Sequence, residues 1–450
     1  MNEPVPETSQ EPGLPARLAA QRLVASVLAG ARALDEAFAD EMAKGALRDA
    51  APADKGFARA IAATTLRRLG EIDAILARLI EKPLPKRAGL TQTILRTAIA
   101  EILFLGVKPH AAVDLAVEAA ASDKDARHFK ALVNAALRRL TRETDTLREG
   151  IDPERVSLPD WLWKSWTKTY GEETARAIIR AQWAEPPLDI SVKPSEDRAR
   201  WAERLDARIM PTGTLRLDAG GRIEALAGFD EGAWWVQDMA AAIPATLLGD
   251  VAGREVLDLC AAPGGKTLEL AARGAHVTAL DRSAPRLDRL RQNLARTKLD
   301  AAILTGDAAL FAPGRTWDLI LLDAPCTATG TARRHPDVIH AKTPADRDRL
   351  SALQTRLLDR AATLLSPGGT LVYCTCSLER QEGPDQIERF LHRHPDFSRR
   401  PVEAAELGGL ASLVTADGDL RTRPCELAEA GGMDGFYAAR LAKASPLSSN

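Results

Sequence analysis

Beyond about Met239 the chain alternates short apolar runs with helix-length amphipathic stretches, and this alternation constrains the fold more than any other feature. Residues 256–259, 277–280, 302–304, 319–322 and 370–374 are too short for helices and read as strands buried on both faces. Residues 284–297 and 345–365 have the length and periodicity of the helices that connect such strands. Repeated β-α-β units predict a parallel, doubly wound sheet, and in such sheets ligands lie at the carboxyl ends of the strands.

Upstream the pattern is different. Residues 14–144 read as helical, with apolar residues three and four apart, as in Leu23, Val27, Leu28 and then Leu34, Phe38. Helices over 54–69, 72–79, 90–105, 111–121 and 129–140, punctuated by Pro83, Pro85 and Pro109, predict an all-α bundle of six or seven helices. Between 151 and 238, two short helices with Trp161, Trp163 and Trp166 precede a strand at 188–192, another helix and a glycine-rich hairpin ending at Trp234-Trp235. The expected architecture is therefore multidomain: an N-terminal all-α bundle, a small α+β middle segment and a C-terminal α/β, Rossmann-like domain with a doubly wound sheet. The expected boundaries are 1–13 as a disordered tail, 14–145, 146–238, 239–444, and 445–450 as a second tail. A length of 450 residues with 45% hydrophobic content supports several cores rather than one.

Sixty basic residues against 62 acidic ones leave a net charge of −2, which argues against a chain that binds nucleic acid through bulk charge. The balance is uneven, however, because residues 52–142 hold 16 Lys and Arg against 9 Asp and Glu. Runs such as Arg67-Arg68, Lys86-Arg87 and Arg138-Arg139 read either as solvated helix faces or as phosphate contacts. No apolar run reaches the roughly 18–20 residues of a membrane span, and Glu101 interrupts the best candidate. The acidic, proline-rich start, with Glu3, Glu7 and Glu11, lacks the basic-then-apolar order of a secretory signal. Five cysteines, an odd number, do not suggest a disulfide framework. A cytoplasmic protein with no membrane partner is expected.

The first strand of the C-terminal region runs into Asp258-Leu259-Cys260-Ala261-Ala262-Pro263-Gly264-Gly265-Lys266-Thr267 and then a helix. Small residues let backbone approach a ligand, and a helix N-terminus offers unpaired N–H groups. A phosphate loop needs glycine where Cys260 stands, and the dinucleotide glycine fingerprint is absent. A nucleoside with an amino-acid tail remains, namely S-adenosylmethionine. Asp281, closing the second strand 17 residues after Gly264, suits both ribose hydroxyls. Asp307, after the third strand, suits an adenine amino group. Singly, each Asp reads as a cap or turn residue; together, in strand order, they read as a cofactor site.

The fourth strand ends Asp323-Ala324-Pro325-Cys326 and the fifth Cys374-Thr375-Cys376-Ser377. Cys260, Cys374 and Cys425 read as small buried hydrophobes. No Cys-x-x-Cys pair or histidine cluster accompanies the thiols, so no metal is expected. Two cysteines at neighbouring strand tips exceed what core packing needs. A thiol suits carbon 5 of a pyrimidine, which is too poor a nucleophile to attack a sulfonium methyl group unaided. Thiolate addition at carbon 6 makes carbon 5 enamine-like. The Asp323 carboxyl could hold the Watson–Crick edge and favour cytosine.

Residues 256–268, 318–330 and 371–378 resemble the motifs of the RNA 5-methylcytosine methyltransferases, and in particular the bacterial small-subunit ribosomal RNA methyltransferase B family (Sun or Fmu family). Residues 54–68 and 129–139, with Val133-Asn134-Ala135-Ala136-Leu137-Arg138, resemble the NusB-like RNA-binding part of that family. The likeness extends over 14–441 and includes Met433-Asp434-Gly435-Phe436. It implies that Cys376 is the nucleophile and that Cys326 releases the methylated RNA. It also implies that Cys260, Ala261, Ala262, Pro263, Gly264, Gly265, Lys266, Asp281, Asp307 and Asp323 bind S-adenosyl-L-methionine. The implied substrate is 16S ribosomal RNA, at cytosine 967; the implied state is a monomer. The same motifs fit a transfer RNA substrate, and the NusB-like helices alone fit a non-catalytic RNA-binding factor. Ala328 stands where the family usually has glycine, which implies an altered loop. Cys374 lies two residues before Cys376, which is preferred as nucleophile because Thr-Cys-Ser is the family pattern.

Overall fold

The computed structural model describes residues 13–445 except 31, 195, 219 and 220; the tails expected at 1–12 and 446–450 lie outside the described residues. Gly13, assigned above to the first tail, belongs to the fold: its carbonyl accepts a hydrogen bond from Arg17 Nη1 at 3.0 Å and its φ of +85° starts the first helix. Two compact units follow. One runs to Lys164 and takes in His335–Ala341; the other comprises Ser165–Arg334 and the chain from Lys342 onward.

The first unit is helical: α1 (Leu14–Leu28), α2 (Leu34–Lys44), α3 (Pro52–Arg67), α4 (Leu69–Leu79), α5 (Thr91–Phe104), α6 (Pro109–Ser122), α7 (Lys130–Arg148) and the short α8 (Pro153–Val156). Proline occupies the first turn of α1, α3 and α6, where its missing N–H has no partner to lose. Pro109 therefore opens a helix rather than merely ending one. The helix expected over 54–69 stops at Arg67, because Arg68 leaves the helical region (φ −109°, ψ 13°) and starts α4. The boundary expected at 145 falls inside α7. Leu23, Ile61 and Leu66 anchor one apolar cluster, and Ile72, Ile94, Ile99, Leu137 and Leu140 another. Glu101, which broke the apolar run, is buried and pairs with Arg17 at 2.6 Å. Burial pushes its carboxyl up to about 7 against the opposing pull of Arg17. Glu71 is held between Arg68 at 2.8 Å and Arg148 at 2.7 Å. Leu34 N donates to Asp337 Oδ2 at 3.3 Å, and His340 Nε2 lies 2.8 Å from the Leu66 carbonyl, which ties the 335–341 segment to these helices.

A single helix, α9 (Asp160–Tyr170), carries Trp161, Trp163 and Trp166, which were expected on two. After α10 (Glu172–Trp183) come β1 (Leu188–Val192), α11 (Arg198–Arg204), β2 (Arg208–Ile209), β3 (Leu215–Leu217) and β4 (Trp234–Val236). The four strands form an antiparallel sheet in the order β2-β3-β1-β4. Arg216 and Asp189, both fully buried, meet in a two-pronged ion pair at 2.7 Å on each prong. Asp189 also accepts from the backbone N–H of Met239 at 3.0 Å, so this charge pair anchors the start of the next layer.

The chain continues through α12 (Met239–Thr246), β5 (Glu255–Leu259), α13 (Gly265–Ala272), β6 (His276–Asp281), α14 (Ala284–Thr297), β7 (Ala302–Thr305), β8 (Trp317–Asp323), α15 (Val338–Ala341), α16 (Pro344–Leu364), β9 (Leu365–Thr375), α17 (Pro384–Arg393), β10 (Phe397–Arg399), β11 (Leu420–Arg421) and β12 (Tyr437–Lys443). Of these, α15 belongs to the helical unit. The strand order is β10-β12-β9-β8-β5-β6-β7, with β11 on β12. The five expected strands, β5 to β9, are parallel. The sheet as a whole is mixed, because β12 runs antiparallel to β9, β10 and β11. Strand residues alternate between two apolar clusters: Leu319 and Leu321 face one, Ile320 and Leu322 the other. The edge strand β7 departs from burial on both faces, since among the described residues no strand pairs beyond it and Ala302, Leu304 and Thr305 are exposed. No helix among the described residues is long and apolar enough to cross a membrane.

Candidate active site

Strand register brings the site together. Leu259 pairs with Leu280 on one side and Leu322 on the other, Asp281 pairs with Thr305, and Asp323 pairs with Cys374. All these strands run the same way, so the Cys260–Lys266 loop, Asp281, Asp307, Asp323, Cys326 and Cys376 leave the sheet along one edge.

The loop after β5 is bent by Cys260 (φ +63°) and Gly264 (φ +106°), and α13 begins at Gly265. Only glycine takes such a φ at 264 without strain, and a Cβ there would come within 2.3 Å of Leu290 Cδ1. Asp281, buried at the end of β6, accepts from Ala262 N at 3.1 Å through Oδ2 and from Ser283 N at 2.8 Å through Oδ1. Arg286, which the motifs do not reveal, donates to the Ala262 carbonyl. Beneath the loop, Thr267 Oγ1 donates to Asp258 Oδ2 at 2.6 Å, while Asp258 Oδ1 is buried without a hydrogen-bond partner. Burial pushes the Asp258 carboxyl up to about 7. Burial and the Asp281 charge likewise raise the Cys260 thiol, which is half-buried rather than sealed in the core; Cys425 is half-buried too. Asp307 is exposed, and its Oδ1 accepts from Ala309 N at 2.9 Å within its own turn. A small-residue bend, a buried carboxylate at the next strand end and an unsatisfied acidic oxygen below could hold a nucleoside cofactor with a charged tail.

Cys326 and Cys376 are both half-buried, and their sulfur atoms are 3.5 Å apart. The hydrogen bond to Cys376, with burial added, raises the Cys326 thiol well above its ordinary range. Lys266 Nζ donates to Asp323 Oδ2 at 2.8 Å and lies 4.9 Å from the centre of the Phe436 ring. Burial alone would lower the Lys266 ammonium, but Asp323, Cys374 and Cys376 outweigh it and hold it above its usual value. Cys374 is fully buried, raised by burial and by Asp323, and its Sγ lies 3.5 Å from Asp323 Oδ1. A sealed thiol cannot meet a base, so of the two cysteines on this strand end Cys376 is the accessible one. Ala328 adopts φ +59°, the left-handed conformation in which glycine is at ease. Gly330 N donates to the Cys376 carbonyl at 2.9 Å, Gly435 N donates to the Gly330 carbonyl at 2.8 Å, and a Cβ on Gly330 would fall 2.0 Å from the Gly435 carbonyl oxygen. Close backbone packing thus joins both cysteine loops to the Met433-to-Phe436 stretch.

Three side chains of the site escape sequence reasoning: Arg286 on α14, Gln354 on α16 and Glu382 after β9. None lies in a motif, and Glu382 sits in Arg380-Gln381-Glu382-Gly383, which reads as an exposed turn yet is fully buried at the glutamate.

Residues 245–442 match the family described as 16S rRNA methyltransferase RsmB/F, and residues 14–142 match the NusB family. Ribosomal RNA small subunit methyltransferase B of Pasteurella multocida is 36% identical over 375 residues, covering 79% of this chain and 80% of that protein. A solved structure of a methyltransferase homologue from Pyrococcus horikoshii is 25% identical, with a TM-score of 0.52 over 67% of this chain and 99% of that one. Another solved structure, 22% identical, gives a TM-score of 0.75 over 98% of this chain and 100% of that one, and shows the fold alone. With the helical bundle, the mixed methyltransferase sheet and a relative of this identity and coverage in hand, the chain belongs to the ribosomal RNA small subunit methyltransferase B family.

Proposed function

We propose that this methyltransferase transfers a methyl group from S-adenosylmethionine to carbon 5 of a cytosine in small-subunit ribosomal RNA, through a transient bond between Cys376 and carbon 6. The observation that carries the reading is the pair of sulfur atoms 3.5 Å apart beside the Lys266–Asp323 ion pair. Asp281 would take the ribose hydroxyls, Asp307 the adenine amino group, and the Cys260-to-Lys266 loop the amino-acid tail. When bound, S-adenosylmethionine supplies an electrophilic methyl group on a sulfonium.

The protein's own groups do the rest. Cys376, as thiolate, adds to carbon 6 and turns carbon 5 into an enamine-like nucleophile. The Lys266 ammonium attracts negative charge on that sulfur. Cys326 keeps its proton, so its S–H can donate to the Cys376 sulfur. The Asp323 carboxylate suits the exocyclic amine of cytosine, which uracil lacks. After methylation the carbon 5 proton passes to water, its bonding electrons re-form the ring double bond, and the carbon 6–sulfur bond breaks. Cys376 departs as a thiolate that accepts a hydrogen bond from the Cys326 S–H, which is the release role assigned to Cys326. Residues 14–145 are assigned to gripping the RNA, and the exposed Lys86-Arg87 run is the best placed of the basic runs, since Arg68 and Arg139 are engaged by Glu71 and Glu143. By likeness to the family the target is cytosine 967.

The test is tritium release from small-subunit RNA labelled at carbon 5 of cytosine. Wild type releases tritium only with S-adenosylmethionine present, and Cys376→Ala releases none. A Cys376→Ala protein as active as wild type overturns the assignment. Bisulfite sequencing of total RNA from a deletion strain identifies the cytosine.

A further inference from the structure

Each of the two cysteines is followed by a hydroxyl residue, Thr327 after Cys326 and Ser377 after Cys376, and both hydroxyls converge on one carboxylate. Ser377 Oγ donates to Glu382 Oε2 at 2.6 Å, and Thr327 Oγ1 donates to the same oxygen. Thr327 N donates to Glu382 Oε1 at 3.0 Å. Gln354 Nε2, from α16, donates both to Glu382 Oε1 at 3.1 Å and to the Pro325 carbonyl at 2.9 Å, which brackets Cys326 from its other side. Glu382 is itself anchored: its carbonyl accepts from Tyr373 Oη at 2.8 Å and Thr375 Oγ1 at 3.2 Å, both on β9.

We propose that Glu382 is a positioning residue that sets the spacing of the two sulfur atoms by tethering the residue after each cysteine to one buried carboxylate. The inference rests on Cys376 and Cys326 being the working thiols. An ionised carboxylate accepts at both oxygens and donates nothing, so it can serve donors from both loops and from α16 together. A glutamine of the same shape turns an N–H₂ towards one of those donors and releases one loop. The Thr327 and Ser377 hydroxyls also lie 3.1 Å apart, but with the single proton of each directed at Glu382 neither can donate to the other, so releasing either from the carboxylate loosens the sulfur separation. A misplacement of about 1 Å costs on the order of a hundredfold in rate.

The experiment uses Glu382→Gln in the full chain, with three readouts. Turnover is expected to fall about a hundredfold, with the KM for RNA and the affinity for S-adenosylhomocysteine held within about twofold because the cofactor loop is untouched. The rate of diamide-driven disulfide formation between Cys326 and Cys376, which reports sulfur spacing without any methyl transfer, is expected to fall about tenfold. Wild-type turnover and an unchanged disulfide rate overturn the proposal. So does a loss of cofactor affinity in step with turnover, which marks a merely structural role. If Glu382→Gln does not fold, Thr327→Val removes one tether while keeping shape; about a tenfold loss of turnover at unchanged KM supports the proposal, and wild-type turnover overturns it. A wild-type protein that forms no adduct with 5-fluorocytosine RNA sinks the assigned chemistry instead, and the disulfide rate still decides the role of Glu382.

Discussion

Buried charge is matched in the helical unit, as it is at the Arg216–Asp189 pair of the sheet unit, but not at the sheet's strand tips. In the helical unit Glu101 has Arg17, and Glu71 has Arg68 and Arg148. At the strand tips of the sheet unit, Asp258, Asp323, Cys374 and Cys376 crowd around Lys266, and Asp258 keeps an unsatisfied oxygen. Matched charges let helices close over their polar groups. A surplus of acids and thiols around one ammonium weakens folding and persists where chemistry uses it. The difference teaches where to look: substitutions at the strand tips should cost reaction without costing stability, and substitutions at the helical pairs should cost stability without touching the reacting groups.

The largest effect is expected from Cys326→Ala. Multiple turnover should fall at least about a thousandfold while a covalent protein–RNA adduct accumulates on denaturing gels. Adduct no greater than wild type removes Cys326 from release. Next comes Arg17→Met, which strands a buried carboxylate and should destabilise the helical unit by about 3 kcal/mol at pH 8. The folded Glu101 carboxyl sits at about 7, above its unfolded value of 4.5. A raised carboxyl contributes its stability fully below the unfolded value and loses it as pH rises through the folded one. The cost of Arg17→Met should therefore shrink at pH 5.5, where Glu101 holds its proton. Hydrogen exchange of peptides from α1 and α5 measures this, and a pH-independent cost contradicts the assignment. Asp281→Asn should weaken S-adenosylhomocysteine binding about thirtyfold by calorimetry, about 2 kcal/mol for hydrogen bonds to a charged acceptor. Exchange in the helical unit should not move. Smallest is Ala328→Gly, which relieves a left-handed alanine and should raise stability by about 1 kcal/mol in thermal melts. A lower melting temperature rules out strain at that position.

The parallel strands and the bend at 260–266 were readable because short apolar runs and small residues leave local marks. The antiparallel edge was not. Tyr437–Lys443 reads Tyr-Ala-Ala-Arg-Leu-Ala-Lys, better suited by propensity to a helix, and becomes β12 only through pairing with β9 and β10. At β7 the opposite happened: apolar residues suggested burial, yet the strand ends the sheet. Of the site, both thiols and Asp281 were legible because each sits at a strand end. Glu382 and Gln354 were hidden because the partners that tie them to the Cys326 loop, Thr327 and Pro325, lie 55 and 29 residues away in the chain. Asp307 was placed at the right strand end, but its own turn uses one of its oxygens. Among the basic runs, the Arg68–Glu71 pair follows helical spacing and could be read, whereas Arg148–Glu71 depends on α4 and α7 packing together.

The most direct measurement is mass-spectrometric mapping of the adduct formed with small-subunit RNA containing 5-fluorocytosine, whose fluorine blocks departure from carbon 5. The expected product is a modified nucleotide, already methylated, bonded to the Cys376 sulfur and to no other residue. A nucleotide attached through Cys326 or Cys374, or methylated RNA released with no adduct at all, contradicts it.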